Sequence, residues 1–378
     1  MYLCEFWKFI FKISLYILNV IAYLETMKIA IFSRWNATCG VSVHAELIGR
    51  EFIKMGHELL VFAPYLESAT KWWHYKKIRS DEEFVIRCYY ENDPDTLTEG
   101  YIEEEKILGV NFDVLIVESD YPIPQISVEK LISKIKGKVP VILVIHEGSK
   151  DKLRYRNLSI FDAIVVFDNR YITEVLRGFS ENVHIIPYPC YPPVIKKHRV
   201  FMEDVLRFFS FGRQPVDEYE GFINVLSQLE DEFKVNFEYL VVRSNGPLPY
   251  RKSWLIQRRG RLLVEDIYKI LLNDVDICLI PKKNTRNVVI SSTFNLIAGA
   301  LTPIIAPYTR HFEAIPEIKG IKPIILYNSL AELKSQIIKL VEDEQYRMKI
   351  IDAMKVYAEE NSCRKIAEKF MQLIKSLF

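Results

Sequence analysis

The chain has 378 residues, 49% of them apolar and 26% charged, with 50 Lys and Arg against 49 Asp and Glu. That balance excludes a disordered chain, and a net charge of +1 leaves no global field to draw nucleic acid. The six cysteines (Cys4, Cys39, Cys88, Cys190, Cys278 and Cys363) form no CxxC pair, which argues against a structural zinc and for reduced thiols in a cytoplasmic protein.

Residues 1–26 stand apart. Phe6 to Leu24 is apolar apart from Lys8, Lys12 and Asn19, and as a helix it would span roughly 28 Å, near the thickness of a bilayer core. No small-residue cleavage site follows it, which disfavours a secretory signal. Three readings stay open: a start codon assigned too early, a helix contacting the inner face of a membrane, or a helix packed on the domain surface.

From Met27 the chain alternates strands and helices. Buried-type strands are expected at Ile29–Phe32, Glu58–Phe62, Val114–Val117, Val141–Ile145, Ala163–Phe167 and Val183–Ile186, with helices near Ser42–Met55, Tyr101–Leu108, Ser127–Ile135 and Arg170–Gly178. Such alternation predicts a parallel sheet covered on both faces. Tyr65–Glu99, with Trp72, Trp73, His74, Tyr75, Tyr89 and Tyr90, reads as an insertion with strand-like pieces. Its aromatic faces suit a sugar ring, a lipid interface or a local mini-core. Pro187–His198 holds four prolines, a stiff interdomain linker. Strands are then expected at Leu206–Phe211, Phe237–Val242, Arg261–Leu263, Ile277–Ile280, Thr302–Ala306 and Pro323–Leu326, before a helical tail in which Ser362 can cap the last helix.

One unit occurs twice: Lys28–Ser33, a loop ending Cys39-Gly40 and a helix; then Leu206–Arg213, a short loop and a helix from Glu220. A strand that feeds a helix N-terminus through a glycine turn is a ready anion site. The fold class expected is α/β, two Rossmann-like domains facing each other across a cleft. The divisions expected are 27–195 for the first domain, 196–361 for the second, and 362–378 for a helix returning to the first.

The order of local patterns resembles the GT-B retaining glycosyltransferases of the large group that includes glycogen and sucrose synthases. The resemblance runs from Met27 to the C-terminus. It is carried by Gly40 and Met55-Gly-His-Glu58, by Asp113–Val117, and by Val141–His146. In the second half it is carried by Phe211-Gly-Arg213, Asn245-Gly-Pro247, Asp274–Pro281 and Phe294–Ala306. It implies a hexosyltransferase that moves a sugar from a nucleotide-sugar donor to a lipid-linked, glycan or small-molecule acceptor with retention. The donor is a substrate, and neither a cofactor nor a metal is implied. Two departures stand out. The glutamate pair of that group falls at Asn287 and Asn295, and the lysine expected after Arg213 is replaced by Asp217-Glu-Tyr-Glu220. They leave a second reading open, a non-catalytic GT-B-like sugar-binding subunit. A dinucleotide oxidoreductase is disfavoured because no GxGxxG follows either opening strand.

Without a metal, a diphosphate must be held by arginine, lysine and helix N-termini. Donor-side candidates are Gly40, Arg213, Lys282, Lys283 and Arg286, with Asn287 and Asn295 toward sugar hydroxyls or ribose; Asn295 reads equally well as a cap. His146 ends a buried strand at the expected cleft, where the resemblance implies contact with the sugar or the attacking hydroxyl, and Glu147 could orient the acceptor. His44 has no partner visible in the sequence. No HxH, HExxH or spaced Asp cluster argues for a metal.

Overall fold

The computed structural model describes residues 26–70, 78–93, 98–194, 199–232 and 236–378. Residues 1–25, on which the membrane reading rests, and Trp72, Trp73, His74 and Tyr75 lie outside the described residues. Among the described residues no helix is long and apolar enough to cross a membrane.

The first sheet contains β1 (Lys28–Phe32), β2 (Glu58–Pro64), β3 (Val85–Tyr89), β4 (Val114–Ser119), β5 (Val141–Ile145), β6 (Ala163–Val166) and β7 (Val183–Ile185). Their order is β3-β2-β1-β4-β5-β6-β7 and every pair is parallel. The central strands are apolar on both faces, so helices must cover both: β4 and β5 are buried along their whole lengths. Covering helices include α1 (Gly40–Lys54), the short α2 (Leu66–Thr70) and α3 (Glu104–Leu108), and α4 (Gln125–Ile135).

The second sheet contains β8 (Leu206–Gly212), β9 (Phe237–Arg243), β10 (Leu255–Arg259), β11 (Ile277–Leu279), β12 (Ile304–Pro307) and β13 (Ile325–Tyr327). It is also wholly parallel, in the order β10-β9-β8-β11-β12-β13. Its helices are α5 (Glu220–Glu232), α6 (Val264–Asn273), α7 (Ser292–Ile297), α8 (Leu330–Glu342) and α9 (Glu344–Glu360). Both sheets run from a central opening strand outward in two directions. The crevice therefore lies beyond the carboxyl ends of β1 and β8.

The chain crosses between the sheets twice, and the crossings are tied together. Cys190 N donates to Asn361 O at 2.7 Å, and Cys363 N donates to Cys190 O at 2.8 Å. Past the second crossing, α10 (Cys363–Lys375) turns Ile366, Ala367, Phe370 and Ile374 into the core of the first sheet and packs along α1. That i, i+4, i+8 stripe is the apolar face of an amphipathic helix.

Three expectations change. Part of the segment read as an insertion, Val85–Tyr89, is an edge strand of the first sheet, pairing in parallel with β2. Arg261–Leu263 is not a strand: the strand is Leu255–Arg259, and after Gly260 the chain bends into the cleft. The helix expected at Arg170–Gly178 is a short π-helical turn, Tyr171–Val175, because Arg177 at φ 52° and Gly178 at φ 87° end the right-handed path.

Phe370 has no exposed surface. Phe370→Ala should lower the stability of the first domain by about 3–5 kcal/mol, since the hole cannot fully collapse. Denaturant unfolding followed by circular dichroism measures this. A loss below about 1 kcal/mol would show that α10 is not part of that core.

Candidate functional site

A cleft of about 510 Å³ opens between the sheets, and a smaller cavity of about 280 Å³ adjoins it. Cys39, Gly40, Lys282 and Ser292 line both, so the two spaces meet there.

The first domain's side of the junction is set by the loop after β1. Trp35 Nε1 donates to Glu82 at 3.1 Å, and Asn36, at φ 58°, donates through its amide to Ser80 O and Glu82. The loop is thereby pinned before Cys39, whose Sγ accepts from Ser42 N and caps α1. Gly40 opens α1 where a Cβ would stand 3.3 Å from Ser292 Cβ and Oγ. The close approach of α1 to α7 across the cleft depends on that missing side chain. Gly40 and Val41, the first residues of α1, line the smaller cavity.

The second domain supplies the charge. Gly212 sits at φ 130°, and a Cβ there would strike the Gln214 side chain at 2.6 Å. Glycine thus makes the turn that carries Arg213 into the cleft. Burial pushes the Arg213 guanidinium down to about 10; Arg261 and Arg34 add to the push and Cys39 opposes it. Lys282 follows β11 and is also pushed down, by burial and by Arg213, against the pull of Glu218. Arg261 is pushed down by burial and donates through Nη1 to Thr38 Oγ1 of the other domain. Arg213, Lys282 and Arg261 all line the large cleft. Like charges held together in a partly dry space favour an anion between them.

The smaller cavity is edged by Arg34, Asp120, His146, Tyr171, Tyr188 and His311. Arg34 is buried, with Nε 2.5 Å from Glu91 Oε1 and Nη1 3.0 Å from Asp120 Oδ2. Burial drives His311 down to about 3, so it is neutral there at ordinary pH. His146 borders the cavity, and its Nε2 lies 2.6 Å from Glu118 Oε2.

Gly40, Arg213, Lys282 and His146 thus converge, and the other candidates do not. Lys283 is exposed and pairs with Asp217 at 2.7 Å. Arg286 is exposed, its carbonyl accepting from Arg310, and lines neither space. Asn287 packs beside Gly148. Asn295 is buried behind α7: its amide donates to Ser291 O at 3.0 Å, and its carbonyl accepts from Tyr357 OH at 3.1 Å and from Cys190 Sγ. That ties α7 to the crossing segment and α9. Glu147 is buried beneath the cavity without lining it, 2.5 Å from both Ser119 Oγ and Gln125 Nε2. Sequence reasoning missed Arg261 and His44. The basic run Arg258-Arg-Gly-Arg261 was a usable signal for the first, whereas the partner of His44, Glu118, is 74 positions away.

Among the described residues His44, Glu118 and His146 bring potential metal-ligating atoms within 4.8 Å of one another. Their contacts of 2.8 and 2.6 Å are direct hydrogen bonds. Two ligands of one tetrahedral ion at 2.0–2.1 Å would stand roughly 3.3 Å apart. As placed, the three side chains are joined by direct hydrogen bonds.

Glu147 yields a pH prediction. Burial raises its carboxyl from 4.5 to about 8. Between those values the folded chain holds a proton that the unfolded chain has released, so stability falls as pH rises through that window. Glu147→Gln keeps the shape and removes the titration. The stability lost between pH 5 and pH 8 should shrink in the variant by on the order of 2 kcal/mol. Urea unfolding at the two pH values measures it, and an unchanged difference would refute it.

No protein-family model matches the chain. Its structure is similar to the pneumococcal O-GlcNAc transferase GtfA in complex with UDP and GlcNAc, with a TM-score of 0.63 and 11% identity, covering 93% of this chain and 99% of that one. It is similar to an alpha-glucosyltransferase in complex with UDP and a 13-mer DNA, with a TM-score of 0.61, 15% identity and coverage of 93% and 99%. HepE from Anabaena in complex with UDP-glucose matches with a TM-score of 0.60, 12% identity and coverage of 93% and 100%. Two wholly parallel Rossmann-like sheets facing across a cleft, matched over nearly the whole length of these glycosyltransferases, identify the architecture of this chain as the GT-B fold.

Proposed function

We propose that the chain is a glycosyltransferase that moves a sugar from a nucleotide-sugar donor to a lipid-linked, glycan or small-molecule acceptor. The observation that carries this reading is the convergence of Arg213, Lys282 and Arg261 on the N-terminus of α1 in one cleft. A diphosphate placed there relieves the mutual repulsion of the cations and accepts charge-assisted hydrogen bonds. Negative charge grows on the diphosphate as the sugar leaves, so the same groups favour the transition state. Lys282 and Gly40 border both spaces, which puts the transferred sugar at the junction and the acceptor in the smaller cavity beside His146. Similar proteins bound to UDP or UDP-glucose support the choice of donor class.

One observation favours a second reading, a non-catalytic sugar-nucleotide-binding subunit. Asn295, at a position where the resembling group carries glutamate, is buried with its amide committed to Ser291, Tyr357 and Cys190. No carboxylate from that position reaches the cleft. A GtfA/B complex is also among the structures similar to this chain, with a TM-score of 0.60 at 9% identity.

Calorimetry with UDP, followed by incubation with UDP-sugars, separates the readings. Binding with donor turnover supports the enzyme, and binding without turnover supports the subunit. Arg213→Ala and Lys282→Ala should each weaken UDP about ten-fold or more, the loss of one charge-assisted contact worth about 1.5–3 kcal/mol. Lys283→Ala should leave the affinity unchanged, because that side chain is 72% exposed and pairs outside the cleft. Absence of binding by any nucleoside diphosphate at millimolar concentration would refute both readings.

A further inference from the structure

Glu118, next to last in β4, is fully buried, with each carboxylate oxygen on a different imidazole. Oε1 lies 2.8 Å from His44 Nδ1 and Oε2 lies 2.6 Å from His146 Nε2. No arginine or lysine among the described residues forms an ion pair with it. A buried carboxylate is tolerated only when both oxygens are satisfied. Burial alone would push the group up, and a ring N–H on each oxygen favours the carboxylate form. It is therefore ionised and can only accept hydrogen bonds. Each facing nitrogen must then carry a proton: Nδ1 of His44 and Nε2 of His146.

Packing holds both rings in place. His44 lies between Phe167 at 5.3 Å, Tyr188 at 5.2 Å and Phe370 at 6.0 Å, and Phe167 stands edge-on to His146 at 5.0 Å. His44 Nε2 is buried with no hydrogen-bond partner. A second proton there would be an unsatisfied buried donor, so His44 stays neutral. His146 differs: its ring borders the smaller cavity, and its Nδ1 has no hydrogen-bond partner among the described residues.

We propose that Glu118, anchored by His44, is a positioning residue that holds His146 in the Nε2–H tautomer and turns its Nδ1 lone pair to the smaller cavity, where it accepts a hydrogen bond from a hydroxyl of the sugar or acceptor. The identity of that hydroxyl rests on the donor reading above; the tautomer does not. His44 fills the second carboxylate oxygen, so that Glu118 does not have to rotate or take up a proton. An imidazole with one orientation and one tautomer offers a fixed acceptor, and no ordering cost remains for the ligand.

The test is a long-range proton–nitrogen spectrum of the full chain carrying labelled histidine. The chain has seven histidines, and loss of one set of signals in His146→Asn and another in His44→Asn assigns the pair. The expected result at neutral pH is an unprotonated Nδ1 on His146 and an unprotonated Nε2 on His44, each as a single species. In Glu118→Gln, checked for folding by its melting transition, His146 should lose that single state and show averaged tautomers. The wild-type spectrum decides the question even if the variant does not fold. A protonated Nδ1 or a tautomer mixture on His146 in the wild type overturns the proposal, as does an unchanged spectrum in folded Glu118→Gln. A fixed tautomer in a chain that binds no UDP leaves the positioning of His146 standing and removes the donor reading, whereas UDP binding with mixed tautomers does the reverse.

Discussion

Everything in the cleft depends on the paired crossing of the chain between the two sheets. The backbone bonds from Cys190 to Asn361 and from Cys363 to Cys190 join the outgoing and returning segments into one short connection. Two separate linkers would let the sheets twist independently. The tied connection brings both crossings to one place between the sheets. Asn295 strengthens it from the side, linking α7 to the crossing at Cys190 and to α9 at Tyr357. A position that resembles a ligand site in sequence is thus committed to holding the hinge.

Ion pairs join the two domains on either side of the cationic residues. Arg79 pairs with Glu265 at 2.6 Å at one end. At the other, Arg170 donates to the Arg310 carbonyl and to Glu313, while Arg310 pairs with Glu174. Such partly exposed pairs contribute little stability one by one. Their number and placement fix which surfaces meet. Between them Arg213, Lys282 and Arg261 lose part of their hydration and gain each other's repulsion. On the proposed reading, a diphosphate there would offset that cost and favour the closed arrangement.

The two spaces differ in the side chains that line them. The large cleft is lined by Arg213, Lys282 and Arg261 as well as by Glu46, Glu51, Glu218 and Glu265, and Gly40 and Gly212 allow close approach at its edge. The smaller cavity is lined by rings together with Arg34, Asp120 and Lys282, and Glu118 lies buried behind His146. On the proposed reading, a leaving group that collects negative charge would lie in the first, and hydroxyl groups that need defined acceptors in the second.

The repeated strand-turn-helix unit, the parallel α/β class and the cation-bearing ends of β8 and β11 were legible in the sequence, because each rests on local patterning: apolar runs four to seven residues long, a glycine, then an amphipathic stripe. Arg213 and Lys282 were found because a strand end in such a sheet is already a place at the cleft. What the sequence could not decide was which loop residues turn inward. Lys282 and Lys283 are adjacent and alike, yet one is drawn under Glu218 and the other is tied outside by Asp217. Arg261 reads as strand until Gly260 releases it toward Thr38. Glu118 reads as a polar end to an apolar strand, and only the packing of α1 and β5 against β4 brings His44 and His146 onto its two oxygens. Periodicity reports the face that an element buries. Partners 28 and 74 positions apart are chosen by strand order and helix docking, which no local pattern contains.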